Sequence, residues 1–548
     1  MEICEIRDLD GPNMFMLRPA IKLEVKAPGG EITVSHAALA FALPAEAAAS
    51  THTAPESADP VRFFTLLAEC VNVIHDRCGQ PRPEIESRRM EEPDHYALAF
   101  SWTHRRFAKG AGKLALTIVT GAEVDTDAEV ERLKAILAGP AEPDDAPEMI
   151  TNAKRRIPII AITGTNGKTT TTRLIASIMR STGKRVGLTT SSGVFIDREL
   201  VLPGDYTGPA GAQRVFAEAD VDIAVLETAR GGILLRGLGY EENDVSVVTN
   251  VSADHLGLHG IHSVEGLGEV KSLVAKVTKA TGFAVLNADD PLVLGMRDGL
   301  RARPFLVTRQ PIAAAVQEHI EEGGWALTID HGQVHWWHDG ASEVLTDLND
   351  VPITFGGRAP HMVENALCAS AACLGAGLDI DQVRTGLAAF RPTPADNRGR
   401  LNVYDLNGAT IIIDFAHNEA GLRQLLSFAG HFRQTEGKLV AVIGTAGDRE
   451  DSVFHAIGEI AASTADRVIL KDSTKYLRGR EPGDMLALMG EGVRRAGHDV
   501  PSETAPGERE AALHAFELVA TGDVVAVMCI EDYDYLLGWL DEHGSPMS

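Results

Sequence analysis

The stretch "ITGTNGKTTTTRLIASIM", residues 162–179, decides how the chain is read. It follows "IPIIAI", so a short apolar run passes into a helical pattern. Leu174, Ile175, Ile178 and Met179 recur at helical spacing and give that helix an apolar face. Between strand and helix lies "TGTNGKTT". Gly164 and Gly167 let backbone N–H groups turn inward, and the helix start adds the positive end of its dipole. Thr165, Asn166 and Thr170 complete the loop. Lys168 can reach the β/γ-phosphates, and Thr169 can set a hydroxyl on Mg²⁺. The common phosphate-loop pattern wants a glycine six positions before the lysine, where this chain has Ile162, so the match to that form is incomplete. Strand, loop, Gly-Lys-Thr and helix in this order predict a nucleoside-triphosphate site.

The chain has 548 residues, which suggests about three or four domains. Its 44% hydrophobic residues are enough for sizeable cores. A formal charge of −26 argues against non-specific binding to nucleic acid or to an anionic membrane surface. There is no apolar run long enough to span a bilayer. The start, "MEICEIRDLDGPNMF", has acids where a signal peptide needs basic and then apolar residues, so a cytoplasmic protein is expected. Six cysteines are scattered without a CxxC pair, which predicts buried free thiols.

Residues 1–138 read as a small α+β domain. Phe63, Leu67, Cys70, Val71 and Ile74 fall on one helical face, and Tyr96, Leu98, Phe100 and Trp102 alternate as in a strand. Residues 139–156, rich in Pro, Asp and Ala, read as a linker. From 157 to 400, apolar strands alternate with helices, as in a parallel sheet flanked by helices. From 401 to 548 the alternation resumes with "ATIIIDFAHN", "KLVAVIGTAG", "DRVILKDST" and "DVVAVMCIED", a second, smaller doubly wound domain of Rossmann type.

A phosphate loop alone does not name a reaction, and the remaining motifs narrow it. Glu227 ends the strand of "VLETARGGIL", where a carboxylate can hold a cation. "VVTNVSADHLGLHG" delivers Asp254, His255 and His259 to a strand end, and Lys271 follows on a helix. "AVLNADDP" supplies Asn287, Asp289 and Asp290, of which the two aspartates also suit a strand end and a helix cap before Pro291. Taken alone, Lys271 suits a solvated helix face as well as a catalytic one.

In this order, GTNGKT, a strand-end Glu, DHL, a downstream Lys and NxDD resemble the Mur ligase superfamily, which joins amines to carboxylates using ATP. Asn365 in "HMVENALCASAA", Arg400 in "NRGRL", and Asp414, His417 and Asn418 in "DFAHNEAGL" extend the resemblance over residues 157–548. "TTSSGVFID", "GDYTGPAGAQRV", "LETARGGILLRGLGY" and "DHLGLHGI" are similar to the Mur-like half of cyanophycin synthetases, and "IRDLDGPNMFMLRPAIKLEV" to their N-terminal domain. Those enzymes carry an ATP-grasp domain between the two regions, whereas here about 20 residues intervene, too few for a domain.

The resemblance implies an α/β fold with a Mur ligase-like phosphate-loop domain and a C-terminal Rossmann-like domain. It also implies ATP and Mg²⁺, with Thr169, Glu227, His255 and Lys271 around the metals. Lys271 aligns with a lysine that is carbamylated in many members. Asn287 and Asn365 would face adenine, Asp414 the ribose and Arg400 the phosphates. Thr207 and Gly208 in "DYTGP" would lie near the acceptor, and His417 near the domain junction. Arg478 and Arg480 can grip the carboxylate of an amino-acid donor bidentately, or simply belong to a charged surface loop. The partners implied are a small or peptidyl carboxylate and an amine, with a homo-oligomer compatible. An amidating ligase that takes ammonia, and an inactive nucleotide-binding scaffold that partners an ATP-grasp protein, are the rival expectations.

Overall fold

The structure, a computed structural model, describes residues 2–28, 32–42, 56–254, 256–311, 313–497 and 499–547. The chain divides into two compact units: Met1–Thr163, Gly187–Ser246 and Gly257–Lys279 form the first, and Gly164–Val186, Val247–Leu256 and Ala280–Ser548 the second. Among the described residues no helix is long and apolar enough to cross a membrane.

The first unit opens with an antiparallel sheet in the order Glu2–Leu9, Ala20–Lys26, His95–Ser101, Ile85–Arg89. Ile21, Leu23, Val25, Leu98 and Phe100 fill one face, and Phe63, Leu67, Cys70, Val71 and Ile74 of the helix Pro60–Arg77 are buried with them. Alternation on the strands and helical spacing on the helix therefore meet in one core. Each such side chain contributes about 1.5–3 kcal/mol when fully buried. Asp59 caps the helix by accepting the Arg62 N–H at 2.8 Å. Five cysteines are buried, but Cys4 is exposed, because the first residues of the edge strand Glu2–Leu9 face solvent.

The segment between this domain and the strand Ile159–Thr163 is tied down. Arg106 donates to both carboxylate oxygens of Asp145, at 2.8 and 2.7 Å, and the Ile150 N–H donates to the Gly239 carbonyl at 2.9 Å. The strands Ile159–Thr163 and Ile223–Glu227 then run parallel with every residue buried, which explains their unbroken apolar sequence.

In the second unit the helix Lys168–Ser181 carries the apolar face expected, with Leu174, Ile175, Ile178 and Met179 all buried. Thr278–Asn287, Arg303–Val307 and Trp325–Asp330 run parallel and are extended by the antiparallel strands Gln333–His338 and Ala341–Asp347. Among the described residues the C-terminal sheet has seven strands, ordered Ser502–Ala505, Arg467–Lys471, Leu439–Ile443, Val524–Met528, Ala409–Asp414, Asn402–Leu406, Ser545–Pro546. The four apolar strands quoted above form its parallel centre, in register with one another. Asn402–Leu406 joins by a hairpin whose turn, Asn407-Gly408, has φ of +53° and +84°. Asn-Gly is a strong hairpin signal, since both central residues need positive φ.

A buried ion pair organises the carboxyl edge of this sheet. Lys471 and Glu508, neither with any exposed side chain, meet at 2.8 Å. Glu508 also accepts the N–H groups of Ile530, Glu531 and Asp532 at 2.8, 3.0 and 2.6 Å. Burial works against its charge, yet Lys471 and these hydrogen bonds outweigh it and lower the carboxyl to about 2. The pair's stabilisation is therefore full above the unfolded value near 4.3 and is lost as pH falls toward 2. Removing one partner strands a buried charge. Lys471→Met should therefore cost about 3–5 kcal/mol, read as a lower urea midpoint at neutral pH. A midpoint equal to wild type contradicts this role.

Candidate active site

The loop after Ile159–Thr163 is shaped by two left-handed glycines, Gly164 at φ +148° and Gly167 at +85°. Both are also boxed in. A Cβ on Gly164 would lie 1.9 Å from the Thr249 hydroxyl oxygen, and one on Gly167 would lie 2.1 Å from Asn365 Oδ1. The loop is tied to residues 249–252. The Thr165 N–H donates to the Asn250 carbonyl at 2.8 Å, and the Asn166 N–H donates to Asn250 Oδ1 at 2.9 Å. The Thr249 hydroxyl donates to the Asn166 carbonyl at 2.6 Å, and the Ser252 N–H to the Thr165 hydroxyl at 3.0 Å. The Lys168 ammonium donates to the Gly164 and Thr165 carbonyls at 3.0 and 2.8 Å, which holds the charge against its own loop. Thr169 and Thr170 begin the helix and are buried.

Asn365 comes from the helix Pro360–Gly375, and its Oδ1 accepts the Thr171 hydroxyl at 3.3 Å. Asn287 donates from Nδ2 to the Thr249 carbonyl at 2.8 Å and accepts the Asp289 N–H at 3.1 Å. The two aspartates are used in scaffolding. Asp290 caps the short helix Pro291–Gly295 and accepts the Val251 N–H at 2.6 Å. Asp289 accepts the Thr308 hydroxyl at 2.6 Å and the Arg309 N–H at 2.9 Å. Arg309 also pairs with Glu364 at 2.8 Å, but burial dominates and lifts that carboxyl to about 7.

The C-terminal residues approach the same loop within the second unit. Asn418 caps the helix Glu419–Gly430 with its Oδ1, and its Nδ2 donates to Asn166 Oδ1 at 3.2 Å. Asp254 pairs with Arg449 at 2.7 Å and lies 3.7 Å from His417 Nε2. Arg480 donates to the Gly447 and Arg449 carbonyls at 2.9 and 2.6 Å and to Asp451 at 2.8 Å, so its guanidinium shapes the loop that presents Arg449. Arg478 is exposed at φ +52°, over the Tyr476 ring at 5.5 Å. Asp414 accepts the Leu401 N–H at 2.8 Å, and Arg400 lies 4.1 Å over the Phe415 ring. His255 lies outside the described residues.

The first unit holds the rest. Glu227 ends its strand level with Ile162, two residues before the loop, and is 3% exposed. It lines a small cavity with Thr207, Gly208, Thr228, Gly232 and Tyr240. Thr207 donates its hydroxyl to Asp205 at 2.6 Å. Lys271, on the helix Val264–Lys276, is 4% exposed and thus no solvated lysine. His259 has φ +57° and is exposed, and the partial desolvation of its ring together with Arg230 lowers its pKa.

The donor sets fit an anion and a hard cation. Within the second unit the glycine cradle, its inward backbone and Lys168 suit phosphate, and within the first the buried Glu227 carboxylate is a donor of the kind that suits Mg²⁺. Asn250, Arg309 and Arg449 were not singled out by sequence reasoning. Asn250 lies within "VVTNVS", and a polar residue closing an apolar strand was the available signal.

A phosphate-loop domain followed by a doubly wound domain defines a class of nucleotide-using enzymes, and comparison with known proteins narrows it. The family model of the Mur ligase middle domain matches residues 162–373, and that of the Mur ligase glutamate ligase domain matches residues 399–529. The UDP-N-acetylmuramyl-tripeptide synthetase of Deinococcus radiodurans is 30% identical, over 70% of this chain and 74% of its own. The cyanophycin synthetase of Trichormus variabilis is 39% identical over 68% of this chain. The chain spans about two fifths of that protein's length, 41%. In fold, E. coli FolC in complex with DHPP and ADP is similar, at a TM-score of 0.52 and 19% identity, over 70% of this chain and 89% of its own. The chain belongs to the Mur ligase family, whose members are ATP-dependent ligases that form C–N bonds.

Gly167→Ala places a methyl group against Asn365 at a strained backbone angle. It should weaken ATP binding by at least about tenfold in calorimetry while leaving the melting temperature within a few degrees. Unchanged affinity would mean that the cradle is not the nucleotide site.

Proposed function

We propose that the chain is an ATP-dependent carboxylate–amine ligase that works through an acyl phosphate. The observation that carries this reading is the loop at residues 164–168, pinned by residues 249–252 with Lys168 held at its mouth. A carboxylate is a poor electrophile at neutral pH. An acceptor carboxylate oxygen attacks the γ-phosphorus of ATP, ADP leaves, and an acyl phosphate remains. The amine then attacks the carbonyl carbon, and phosphate departs with the former carboxylate oxygen while the nitrogen loses its proton. The protein supplies position and charge.

Backbone N–H groups of the loop and Lys168 orient the β/γ-phosphates. Asn365 and Asn287 shape the adenine side, Asp414 faces the ribose and Arg400 the phosphates. By the family resemblance, Thr169, Glu227, His255 and a carbamylated Lys271 are the residues that would hold Mg²⁺, which would supply charge neutralisation for the phosphoryl group. Thr207 and Gly208 border the acceptor. Arg480 is committed to its own loop, whereas Arg478 is exposed, which supports Arg478 as the arginine that takes a donor's carboxylate. Arginine is the first donor to test, and aspartate-bearing peptides the first acceptors.

ADP release measured with Mg²⁺-ATP should require both partners and yield a product lighter by one water than their sum. Lys168→Ala should abolish it. Arg478→Ala should raise the donor KM by about tenfold or more, the loss of a bidentate charged contact, with the ATP KM unchanged. Release that needs neither partner would contradict the ligase reading. A donor KM unaltered in Arg478→Ala would reassign the arginine.

A further inference from the structure

Two ties within the first unit join the N-terminal sheet to the segments that carry Lys271 and Glu227, and none of the roles above uses them. The first is made by Glu91, in the turn between Ile85–Arg89 and His95–Ser101. Its Oε2 accepts the N–H groups of His262 and of Ser263, the latter at 2.8 Å, and its Oε1 accepts the Ser263 hydroxyl at 2.6 Å. Ser263 is the N-cap of the helix Val264–Lys276, and its hydroxyl oxygen accepts the Gly266 N–H at 2.9 Å. Glu91 thus completes a helix cap from outside the helix, where a negative charge also meets the positive end of the dipole. The fit requires Gly266, since a Cβ there would lie 2.0 Å from Glu91 Oε1. One turn on, Arg88 grips Glu269 through two hydrogen bonds of 2.9 and 2.7 Å. Lys271 follows two residues later.

The second tie is backbone against backbone. The Asp10 N–H donates to the Arg236 carbonyl at 2.7 Å, and the Leu238 N–H donates to the Pro12 carbonyl at 2.8 Å. Between these bonds a Cβ on Gly11 would lie 2.0 Å from the Leu238 carbonyl oxygen, and one on Gly237 would lie 2.8 Å from the Gly11 carbonyl oxygen. The Asp10 carboxylate, wholly buried, pairs with Arg105 and with Arg236, the latter at 3.1 Å. Gly237 and Leu238 line the same small cavity as Glu227, Thr207 and Gly208.

Independent domains meet through patches that tolerate small shifts. These ties do not. They complete a helix cap and interlock two glycine turns, which fixes angle and register. A half-exposed pair such as Arg88 with Glu269 adds little stability by itself, but as a fork it is directional.

We propose that the N-terminal sheet is a built-in brace for the ligase site: Glu91 and Arg88 position the helix that carries Lys271, and the Asp10–Gly11 turn positions residues 227–240. These are positioning residues and touch no reacting atom. The inference rests on the ligase reading of Glu227 and Lys271.

The test uses the full chain as wild type, Glu91→Ala, Gly266→Ala and Gly11→Ala. Hydrogen exchange is followed at residues 262–271 and 227–240, and kcat and KM are measured for acceptor and ATP. Glu91→Ala and Gly266→Ala should each speed exchange at residues 262–271, and Gly11→Ala at 227–240. All three should lower kcat by about tenfold or more, as small misplacements do, with the ATP KM within about twofold. Glu91→Gln, which keeps an accepting oxygen, should recover part of the loss. If Glu91→Ala does not fold, Gly266→Ala carries the same test, because alanine favours the helix itself. Unchanged exchange in a folded variant, or an ATP KM that rises in step with the loss of kcat, overturns the brace. No acceptor-dependent ADP release from wild type would sink the ligase reading instead. Exchange needs no turnover and decides the brace in that case too.

Discussion

Residues 249–252 hold the phosphate loop in shape, and most of the candidate site depends on that constraint. A five-residue turn with two left-handed glycines has little structure of its own. Here its Thr165 and Asn166 N–H groups and the Asn166 carbonyl are fixed by Asn250 and Thr249. Asn287 and Asp290 fix that second segment in turn, through the Thr249 carbonyl and the Val251 N–H. Loop geometry is therefore set by three strand ends, not by the glycines alone. Such preorganisation is what charge stabilisation needs, because dipoles already aimed cost no reorganisation when the phosphoryl group moves.

The same segment runs on to Asp254, which meets Arg449, and Arg480 fixes the loop around Arg449. Arg449 is 8% exposed, so this pair is one whose rupture strands a charge. Asn418 adds a direct bond to Asn166. The arrangement gives Asn418, at the end of the "DFAHN" stretch, a structural role. It caps one helix and touches the phosphate loop with the other end of the same amide.

What was legible in the sequence was local. Strand, glycine turn and helix over residues 159–181 follow from spacing and φ preference, and the four apolar strands of the C-terminal sheet follow from unbroken runs of Val, Ile and Ala. The Asn407-Gly408 hairpin is equally legible from its two turn residues. What was not legible was the pairing of polar residues distant in sequence. Asn250 looks like any strand-end asparagine, and Lys471 looks like a basic residue closing a strand, although it is wholly buried against Glu508. Periodicity assigns faces but not which polar groups meet across loops. The two arginines of "LRGRE" show the same limit. They are equivalent in the sequence, yet one is bound into its loop by three hydrogen bonds and the other is exposed.

The central claim is that the acceptor carboxylate is phosphorylated before the amine attacks. The most direct measurement places ¹⁸O in both oxygens of the acceptor carboxylate and examines the inorganic phosphate released during turnover by mass spectrometry. The account predicts one ¹⁸O atom in each phosphate, because the bridging oxygen of an acyl phosphate leaves with phosphorus. Phosphate free of ¹⁸O, with one ¹⁸O kept in the amide and the other lost to water, would contradict it.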